Sequence, residues 1–381
     1  MLNWIYWEVV HLGSSIYKKV MDYLLDIISR NANIPNYKLP SERMLTVTFD
    51  ASRKPVRHAY NELIKLGYVT NIHGRGYLIR SDIPTDKLQT AFRKDMRISL
   101  VIPSIVTQYS HSILSGVSDF CTNNHIALAI HISDNAPEKE AALIHSVSLS
   151  SSMGLILFPS DSDFSSHNEL MKLVVRKYPL VLVDRSLPNV HASFVSTDDH
   201  QAMVDAVKFL YERNYQNPLF VTPPSSLASS VDSRINGYTH GLLKYYKMAT
   251  PRNLLNLVGS QNEQTNTMVR YLREYPDTDV IILQGVQRFP VLKAIQELGM
   301  QSIKLMLFDD EVTHKERDLL KPYFILQDGY HIGYFAAESL YNHIWGDMRP
   351  VIKRLPVTII DDAEDNSNLQ SVSVPNAAES V

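Results

Sequence analysis

The sequence contains a single cysteine, Cys121, among its 381 residues. One thiol excludes an internal disulfide and a cysteine-rich metal site, and it fits a reducing compartment. No apolar run approaches the roughly 18 to 20 residues that a membrane-spanning helix requires. The N-terminal stretch MLNWIYWEVVHLGS lacks a basic start and a small-residue cleavage site, and it carries Glu8. These features argue against a signal peptide, so we expect a soluble, cytoplasmic protein.

Motifs of common enzyme classes are also missing. The chain contains no His-Glu-x-x-His, no Gly-x-Ser-x-Gly and no Walker-type glycine loop. Among its 14 histidines, four fall in or beside predicted core elements, without acids or thiols at metal-ligand spacing: His111, His125, His131 and His145. This pattern favours structural histidines, and we expect neither catalysis nor a metal or cofactor.

Charge is distributed unevenly along the chain, although the formal net charge is only -3. Residues 14–80 hold 11 Lys and Arg against 5 Asp and Glu, whereas the rest of the chain holds 26 against 35. Hydrophobic residues make up 45% of the chain, a balance typical of globular domains. A basic segment on an acidic body suits a polyanion-binding module joined to a domain with a different ligand.

The segment LPSERMLTVTFDASRKPVRHAY, residues 39–60, predicts two helices joined by a tight connection. Ser41 and Ser52 are good N-caps, and Pro55 falls in the first turn of the second helix, where a missing N–H costs little. Apolar residues with helical spacing follow at Val56, Ala59, Tyr60 and Leu63. The basic and hydroxyl side chains at the start of the second helix then face solvent, as in a helix-turn-helix that enters a DNA major groove.

Elements on either side complete the pattern of a winged helix. A helix is predicted from about Ser15 to Ser29, ahead of the pair. Two β-type runs, 68–72 and 77–80, follow Gly67, and His73-Gly74-Arg75-Gly76 forms the tip between them. Such a wing can carry its arginine to a minor groove or a phosphate backbone. For any one of these helices taken alone, an ordinary amphipathic helix with a solvated basic face is the alternative.

Residues 15–80 resemble the N-terminal domain of the GntR family of bacterial transcription regulators. The resemblance is carried by Leu39-Pro40-Ser41-Glu42-Arg43, Ser52-Arg53, Val56-Arg57, Leu63, Gly67 and Gly74-Arg75-Gly76-Tyr77. With the exposed start of the second helix, it leads us to expect DNA contacts from Ser41, Arg43, Ser52, Arg53, Lys54, Arg57, Gly74, Arg75 and Gly76. The sequence departs from the family at Asp50, where a glycine is usual, and at Pro55, where a threonine is usual.

From Met96 onward, apolar β-runs alternate with helical segments. Strands are predicted near 98–102, 126–132, 155–158, 180–183, 219–221, 280–283 and 304–308, with helices over 112–124 and 138–150. Near-continuous apolar strands alternating with helices indicate parallel sheets covered on both faces. The length of this alternation favours two α/β lobes, and two lobes suit a ligand cleft at the carboxyl ends of the strands.

Polar side chains that follow the apolar strands are candidates for a ligand site. Carboxylates accept from hydroxyl pairs, guanidinium groups donate in a planar fork, and aromatic rings cover the apolar face of a sugar. Such residues therefore suit a polyhydroxylated ligand. Asp184 and Asp310 are explained equally well as caps of helices or turns, and Arg185 by pairing with a neighbouring acid.

Residues 97–361 resemble the sugar-sensing domain of LacI-type regulators, which is itself similar to periplasmic sugar-binding proteins. The resemblance is carried by GLILFPS at 154–160, PLVLVDR at 179–185, VSTDD at 195–199, RINGY at 234–238, LFDD at 307–310 and ESL at 338–340. It implies that Arg234 and Asp309 hydrogen-bond the ligand. Gln284 and Gly285 stand where relatives carry asparagine and aspartate. The ligand-binding residues we predict are Gln108, Tyr109, Arg185, Arg234, Gln284, Asp309 and Gln327.

The fold class that follows is α/β: an N-terminal winged helix-turn-helix domain plus a two-lobed, periplasmic-binding-protein-like α/β domain with parallel sheets. We expect a poorly ordered extension over 1–13, a DNA-binding domain over 14–80, a linker over 81–95, a sensor over 96–362 and a disordered tail over 363–381. The two resemblances imply a transcription regulator, expected to repress carbohydrate-utilisation genes, whose operator affinity is switched by a sugar or sugar derivative. Its partners would be double-stranded DNA with a near-palindromic operator, the sugar and a second copy of the chain.

The alternative is a GntR-type head joined to an enzymatic or non-sugar-binding body. A pyridoxal-phosphate aminotransferase body needs more residues than follow the wing here. An all-helical acid- and metal-binding body conflicts with the many β-type runs. A transport binding protein should begin with a signal peptide, whereas this chain begins with a DNA-binding pattern.

Overall fold

The computed structural model describes residues 2–31, 34, 36–80, 96–160, 166–187, 189–223, 229–284, 287–309, 313–344 and 349–361. Within these ranges the chain forms an N-terminal head and a two-lobed body. The linker predicted at 81–95 and the tail predicted at 363–381 lie outside the described residues, as do Gly285 and Asp310. None of the described helices has both the length and the apolar character that crossing a membrane requires.

The head consists of three helices and a hairpin. The elements are α1 (Leu2–Asn31), α2 (Glu42–Thr48), α3 (Arg53–Lys65), β1 (Val69–Ile72) and β2 (Gly76–Ile79). The two strands pair antiparallel, with Val69 opposite Ile79. Side chains from all three helices and both strands share one core, which includes Leu24, Leu45 and Tyr60. The winged helix predicted from the sequence is therefore confirmed.

The local patterns in the head form the predicted elements. The Ser41 hydroxyl accepts from the Met44 amide at 3.2 Å and caps α2. Ser52 occupies the N-cap position of α3 but makes no capping hydrogen bond within the described head, so its hydroxyl stays at the surface. Gly67 ends α3 with a φ of +79°, the left-handed conformation that glycine adopts without a Cβ clash.

The first helix is longer than predicted. We expected a helix from about Ser15 and a poorly ordered stretch over 1–13, whereas α1 runs without interruption from Leu2 to Asn31. The prediction of the helix start was wrong. The first 13 residues contain no proline, and their one glycine, Gly13, costs only about 1 kcal/mol in a helix interior.

The first lobe of the body is a six-stranded sheet in the order β13-β7-β6-β5-β3-β4, with all neighbours parallel. Its strands are β3 (Arg97–Ile102), β4 (Ala127–Ile132), β5 (Leu155–Leu157), β6 (Leu180–Val183), β7 (Ser193–Thr197) and β13 (Ile352–Leu355). Helices α4 (Gln108–Asn123) and α12 (Gly329–Ile344) cover one face, and α5 (Pro137–Leu149) and α6 (His167–Val175) cover the other.

The second lobe is a six-stranded sheet in the order β14-β12-β11-β10-β8-β9. Its strands are β8 (Pro218–Thr222), β9 (Leu254–Asn256), β10 (Val280–Gln284), β11 (Lys304–Phe308), β12 (Tyr323–Leu326) and β14 (Thr358–Asp361). All pairs are parallel except β12 with β14. Helices α7 (Asp199–Glu212) and α8 (Ser229–Gly241) cover one face, α9 (Gln261–Glu274) and α10 (Arg288–Leu298) cover the other, and α11 (His314–Leu320) precedes β12. The predicted two-lobed architecture with parallel sheets is confirmed.

The described chain crosses between the lobes three times. The first crossing joins β7 to α7, the second joins β12 to α12, and the third joins β13 to β14. As a result, α7 packs on the second lobe although it directly follows a strand of the first. In the same way, α12 packs on the first lobe although it follows a strand of the second.

Two glycines allow α4 and α12 to pack in direct backbone contact. A Cβ added to Gly116 on α4 would overlap the Tyr330 carbonyl oxygen, and a Cβ added to Gly333 on α12 would overlap the Ile113 carbonyl oxygen. The contact is therefore reciprocal, and neither helix can accept a larger residue without moving away from the other. Gly237 on α8 plays the same part against the His200 carbonyl on α7.

We expect Gly333→Ala to lower the free energy of unfolding of the body by about 2–3 kcal/mol, because the added methyl group forces the two helices apart. The matched control is Glu338→Ala, on the exposed side of the same helix, with an expected change within about 0.5 kcal/mol. Denaturant unfolding of both variants measures the difference. Equal losses would show that α4 and α12 do not need the close approach.

Candidate functional site

The head presents one exposed face on which most of the predicted DNA-binding residues lie. Ser52, Arg53 and Lys54 are exposed at the start of α3, and Arg57 follows one turn later. Ser41 and Arg43 are exposed at the start of α2, and Gly74 and Arg75 are exposed at the hairpin tip, with Gly76 half-buried beside them. The opposite side of α3 carries Val56, Ala59, Tyr60 and Leu63, all buried in the head core. The exposed start of a basic helix beside a basic wing can contact phosphates and base edges.

Glu42 connects the three elements of this face. Its carboxylate accepts a hydrogen bond from the Tyr77 hydroxyl at 2.6 Å, and it lies 3.4 Å from the Arg57 guanidinium. Tyr77 in turn stacks on Tyr60, with ring centroids 3.7 Å apart. The first turn of α2, the first turns of α3 and the wing are therefore held in one arrangement. Glu42 belongs to the motif Leu39-Pro40-Ser41-Glu42-Arg43, but the sequence alone did not indicate this role.

Asp50, which stands before α3 where a glycine is usual, has a backbone conformation that most residues avoid. Its φ is +44°, in the left-handed region that glycine favours. Asp is one of the few other residues that adopt this conformation at modest cost, because its short side chain tolerates it. The departure from the GntR pattern at Asp50 therefore preserves the turn and adds an exposed carboxylate to the head.

In the body, a polar network occupies the region where the chain crosses between the lobes. Arg234 on α8 is buried, and its Nε donates to Asp199 Oδ1 at 2.6 Å. Its Nη2 donates to Gln327 Oε1 at 3.2 Å, and its guanidinium lies 4.1 Å from the centroid of the Phe308 ring. Asp199 begins α7 after the first crossing, and Gln327 lies on the second. Arg234 therefore joins two crossings in a single network.

Gln327 links this network to strand ends in both lobes. Its Oε1 also accepts from the Thr197 hydroxyl at 2.8 Å, and its Nε2 donates to Asp309 Oδ2 at 2.7 Å. Asp309 follows β11 directly and has a φ of +57°. Thr197 is the last residue of β7 in the first lobe. The side chain of Gln327 thus joins the carboxyl ends of strands from both lobes.

The first lobe contributes a second group around Asp184, the residue after β6. The Tyr109 hydroxyl donates to Asp184 Oδ1 at 2.7 Å, and Arg185 Nε lies 3.4 Å from Asp184 Oδ2. Arg185 also donates through Nη1 to the Pro159 carbonyl at 2.9 Å and stacks over the Phe158 ring. The Asp184 carboxylate therefore contacts two side chains of the predicted site, which a helix cap or an isolated turn residue would not require.

The two groups influence each other electrostatically. Burial raises the pKa of Asp199 to about 6, with Arg234 opposing the rise and Asp184 adding to it. Burial alone would lower the pKa of Arg234, but Asp199, Asp184 and Asp309 raise it above its ordinary value. At neutral pH Asp199 therefore remains mostly ionised, and its pair with Arg234 is intact.

Several buried polar atoms at the carboxyl edge of the second sheet have no partner among the described residues. They are Thr222 Oγ1 at the end of β8, Gln284 Nε2 at the end of β10 and Gln287 Oε1 before α10. Buried polar atoms in proteins are nearly always hydrogen-bonded, so these three mark positions for a ligand or water. A polar cavity of about 380 Å³ also opens beside Asp184 and Asp199, lined by the starts of α7 and α8.

The structure brings together five of the seven predicted ligand residues, namely Tyr109, Arg185, Arg234, Asp309 and Gln327, within the two linked groups. Gln284 ends β10 beside Phe308 in the paired strand, on which Arg234 stacks. Gln108 is exposed at the first position of α4, outside the hydrogen bonds described above. No group of three or more His, Cys, Asp or Glu among the described residues is arranged to hold a metal ion.

Asp199 is the main residue that sequence reasoning missed. It stands in the VSTDD stretch that carries the resemblance, but only the fold places it against Arg234. The pair is separated by 35 positions in sequence. Its position two residues after a buried strand was the available indication, because Asp184 and Asp309 each come directly after such a strand.

Comparison with known proteins gives a profile match for the head. Residues 16–79 match the gntR family of bacterial regulatory proteins. The HTH-type transcriptional regulator KdgR of Bacillus subtilis (strain 168) is 25% identical over 270 residues, which cover 67% of this chain and 76% of that protein.

Solved structures resemble the body. The transcription regulator CcpA of Lactococcus lactis matches with a TM-score of 0.59 and 18% identity, over 70% of this chain and 97% of that one. The arabinose binding protein AraP from Geobacillus stearothermophilus matches with a TM-score of 0.61 and 18% identity, over 72% of this chain and 99% of that one. At this identity the likeness shows the fold, which LacI-type regulators and sugar-binding proteins share.

We expect Arg234→Met to lower the free energy of unfolding by about 3–5 kcal/mol, because it leaves Asp199 buried without its cation. Adding Asp199→Asn to that variant should recover part of the loss, because it removes the uncompensated charge. The control is Lys208→Met, which breaks an exposed pair with Glu212 on α7 and should cost less than about 1 kcal/mol. Equal losses for Arg234→Met and Lys208→Met, measured by thermal or urea unfolding, would contradict a stabilising role of the buried pair.

Proposed function

We propose that this chain, a transcriptional regulator with a gntR-family head and a LacI-type body, represses carbohydrate-utilisation genes until a sugar or sugar derivative binds between its lobes. The observation that carries the proposal is the network of Asp, Arg and Gln side chains at the crossings. This network lies at the carboxyl edges of two parallel sheets, in a chain whose head is a winged helix.

The exposed basic face of the head supports operator binding. Arg53, Lys54 and Arg57 extend from the first turns of α3, and Arg75 extends from the wing. We assign phosphate contacts to these cations, with base-edge contacts from the start of α3. Because Glu42 lies 3.4 Å from Arg57, its carboxylate orients that guanidinium toward the DNA-facing side.

The cleft supports binding of a polyhydroxylated ligand. Carboxylates from both lobes can accept from paired hydroxyls, and the arginines and glutamines can donate to ring and hydroxyl oxygens. The unpartnered atoms at Thr222, Gln284 and Gln287 supply further sites for such hydrogen bonds. AraP, which shares the fold of the body, is an arabinose binding protein, and we expect the ligand of this chain to belong to the same general class of sugars.

Ligand binding at the crossings can change the relation between the lobes, because the same residues form the site and the hinge. Gln327 touches the site, and α12 begins two residues later. Near the other end of α12, the Tyr341 hydroxyl accepts from Arg30 of α1 in the head at 3.0 Å. A ligand that favours the non-binding state by about 1.4 kcal/mol would lower operator affinity tenfold.

The assembly we propose is a homodimer in the cytoplasm. Two heads related by two-fold symmetry would read the half-sites of a near-palindromic operator. Regulation by ligand binding needs no catalysis, and we propose that the chain is not an enzyme. The competing possibility, an enzymatic or non-sugar-binding body, predicts turnover of a sugar phosphate or the absorbance of bound pyridoxal phosphate.

For the head, we expect Arg53→Ala and Arg57→Ala each to weaken operator binding and to reduce the slope of log K against log salt by about one, since each removes a phosphate contact. Fluorescence anisotropy over a salt series measures both effects. The control is Lys65→Ala, which removes a cation from the far end of the same helix. If the control changes the slope as much as the two variants do, the recognition face lies elsewhere.

For the body, we expect Asp309→Ala to abolish release of DNA by the sugar, because the cleft loses a carboxylate that accepts from sugar hydroxyls. Asp277→Ala removes an exposed carboxylate from the opposite edge of the same sheet and should respond normally. Titrating the operator complex of each variant with sugar measures whether DNA is released, and so distinguishes Asp309→Ala from Asp277→Ala. A normal response in Asp309→Ala would place the ligand outside this network.

A further inference from the structure

The charges and occupied hydrogen bonds in the cleft bear on which kind of sugar it accepts. We propose that the effector is an uncharged, hydroxyl-rich sugar and that the cleft rejects the acids and phosphates of that sugar. This inference rests on the proposed function and narrows it. It is carried by the charge balance of the cleft, by the groups its arginines already bind and by the kind of polar atoms left without partners.

Negative charge exceeds positive charge in the two linked groups. Three carboxylates, Asp184, Asp199 and Asp309, accompany two guanidinium groups, Arg185 and Arg234. Asp184 and Asp199 are almost fully buried, so water screens them little. A ligand carboxylate or phosphate would add a further negative charge to a site that already has an excess.

Both arginines also already contact protein groups with part of the fork that would recognise an acid. Carboxylates and phosphates are bound best by two parallel N–H groups of one guanidinium. In Arg234, Nε is held by Asp199 and Nη2 by Gln327. In Arg185, Nη1 is held by the Pro159 carbonyl and Nε faces Asp184. Both guanidinium groups are already paired with a protein carboxylate, Arg234 with Asp199 and Arg185 with Asp184.

The polar atoms without described partners at this edge belong to neutral groups. Thr222 contributes a hydroxyl, while Gln284 and Gln287 contribute amide atoms. Hydroxyls and amides pair with sugar hydroxyls as both donors and acceptors. None of these three atoms belongs to a cation that could balance an acidic ligand.

The neighbouring cavity has the same excess of acidic over basic side chains. The ionisable side chains that line the 380 Å³ cavity are three aspartates, Asp184, Asp198 and Asp199, and two basic residues, His200 and Arg354.

The ionisation of Tyr109 indicates that this environment disfavours a negative charge. Its hydroxyl is buried against Asp184. Burial raises the pKa of Tyr109 well above its usual value, and Asp184, Asp309 and Asp199 raise it further. An anionic oxygen is thus disfavoured where a neutral hydroxyl is accommodated, which is the discrimination proposed for the ligand.

Matched pairs of sugars test the proposal by isothermal titration calorimetry on the full chain. The pairs are D-ribose with ribose 5-phosphate, D-glucose with glucose 6-phosphate and D-galactose with D-galacturonate. For the pair that binds, we expect the neutral member to bind at least about 100-fold more tightly, because the added charge faces unscreened carboxylates. Tighter binding of an acid or phosphate would overturn this inference and leave a sugar-switched regulator standing. Failure of every sugar to bind or to release DNA would overturn the proposed function as well.

Asp309→Asn provides a second test that separates charge from shape. Asn keeps one oxygen acceptor and tolerates the left-handed backbone of this residue, so the substitution changes mainly the charge. The preference is the ratio of the dissociation constants of the charged and the neutral member of the pair. We expect this ratio to fall at least about tenfold, because one like charge is removed from the site. Asp277→Asn makes the same charge change before β10, at the opposite edge of the sheet, and should leave the preference unchanged. An unchanged preference in Asp309→Asn would overturn the electrostatic basis of the proposal.

Discussion

The buried guanidinium of Arg234 is the interaction on which the arrangement of the body depends. A charge can remain in the interior only if it is paired and hydrogen-bonded, and Arg234 meets this requirement with groups on two different crossings. Asp199 fixes the first crossing and Gln327 fixes the second, so the requirement to satisfy one cation sets the relation between the lobes. The ligand site and the hinge are consequently built from the same side chains. A molecule bound there competes for, or adds to, the hydrogen bonds that hold the lobes together.

The head solves a different electrostatic problem. Its basic residues repel each other and must remain exposed to meet a polyanion, so they cannot be fixed by burial. Glu42 contacts Arg57 and Tyr77 and so holds α2, α3 and the wing in one arrangement. The stacked rings of Tyr60 and Tyr77 also pack the wing against α3. The two ends of the chain therefore use carboxylates in opposite ways. In the head Glu42 orients one exposed cation, Arg57, whereas in the body three carboxylates outnumber the two guanidinium groups that they neutralise.

Much of the fold could be predicted from the sequence, because helix spacing, N-caps and apolar strands are local properties. The buried face of α3 and the strand β11 coincide with the predicted residues. Strands such as β9 and β13 could not be predicted, since they are short, half-exposed edge strands whose partners lie far away in sequence. The site was partly predictable for the same reason. Polar residues after apolar strands could be found one at a time, but the pairing of Arg234 with Asp199 is a product of tertiary structure.

The three crossings also determine the order in which the chain can complete its structure during synthesis. Neither lobe is a continuous segment, since the first needs α12 and β13 and the second needs β14. Both sheets must wait for residues 329–361 to leave the ribosome before their last elements can join them. The head is continuous and close in sequence, so it can fold while the body is still being made. The newly made chain therefore acquires a folded head before it has a closed site for the ligand.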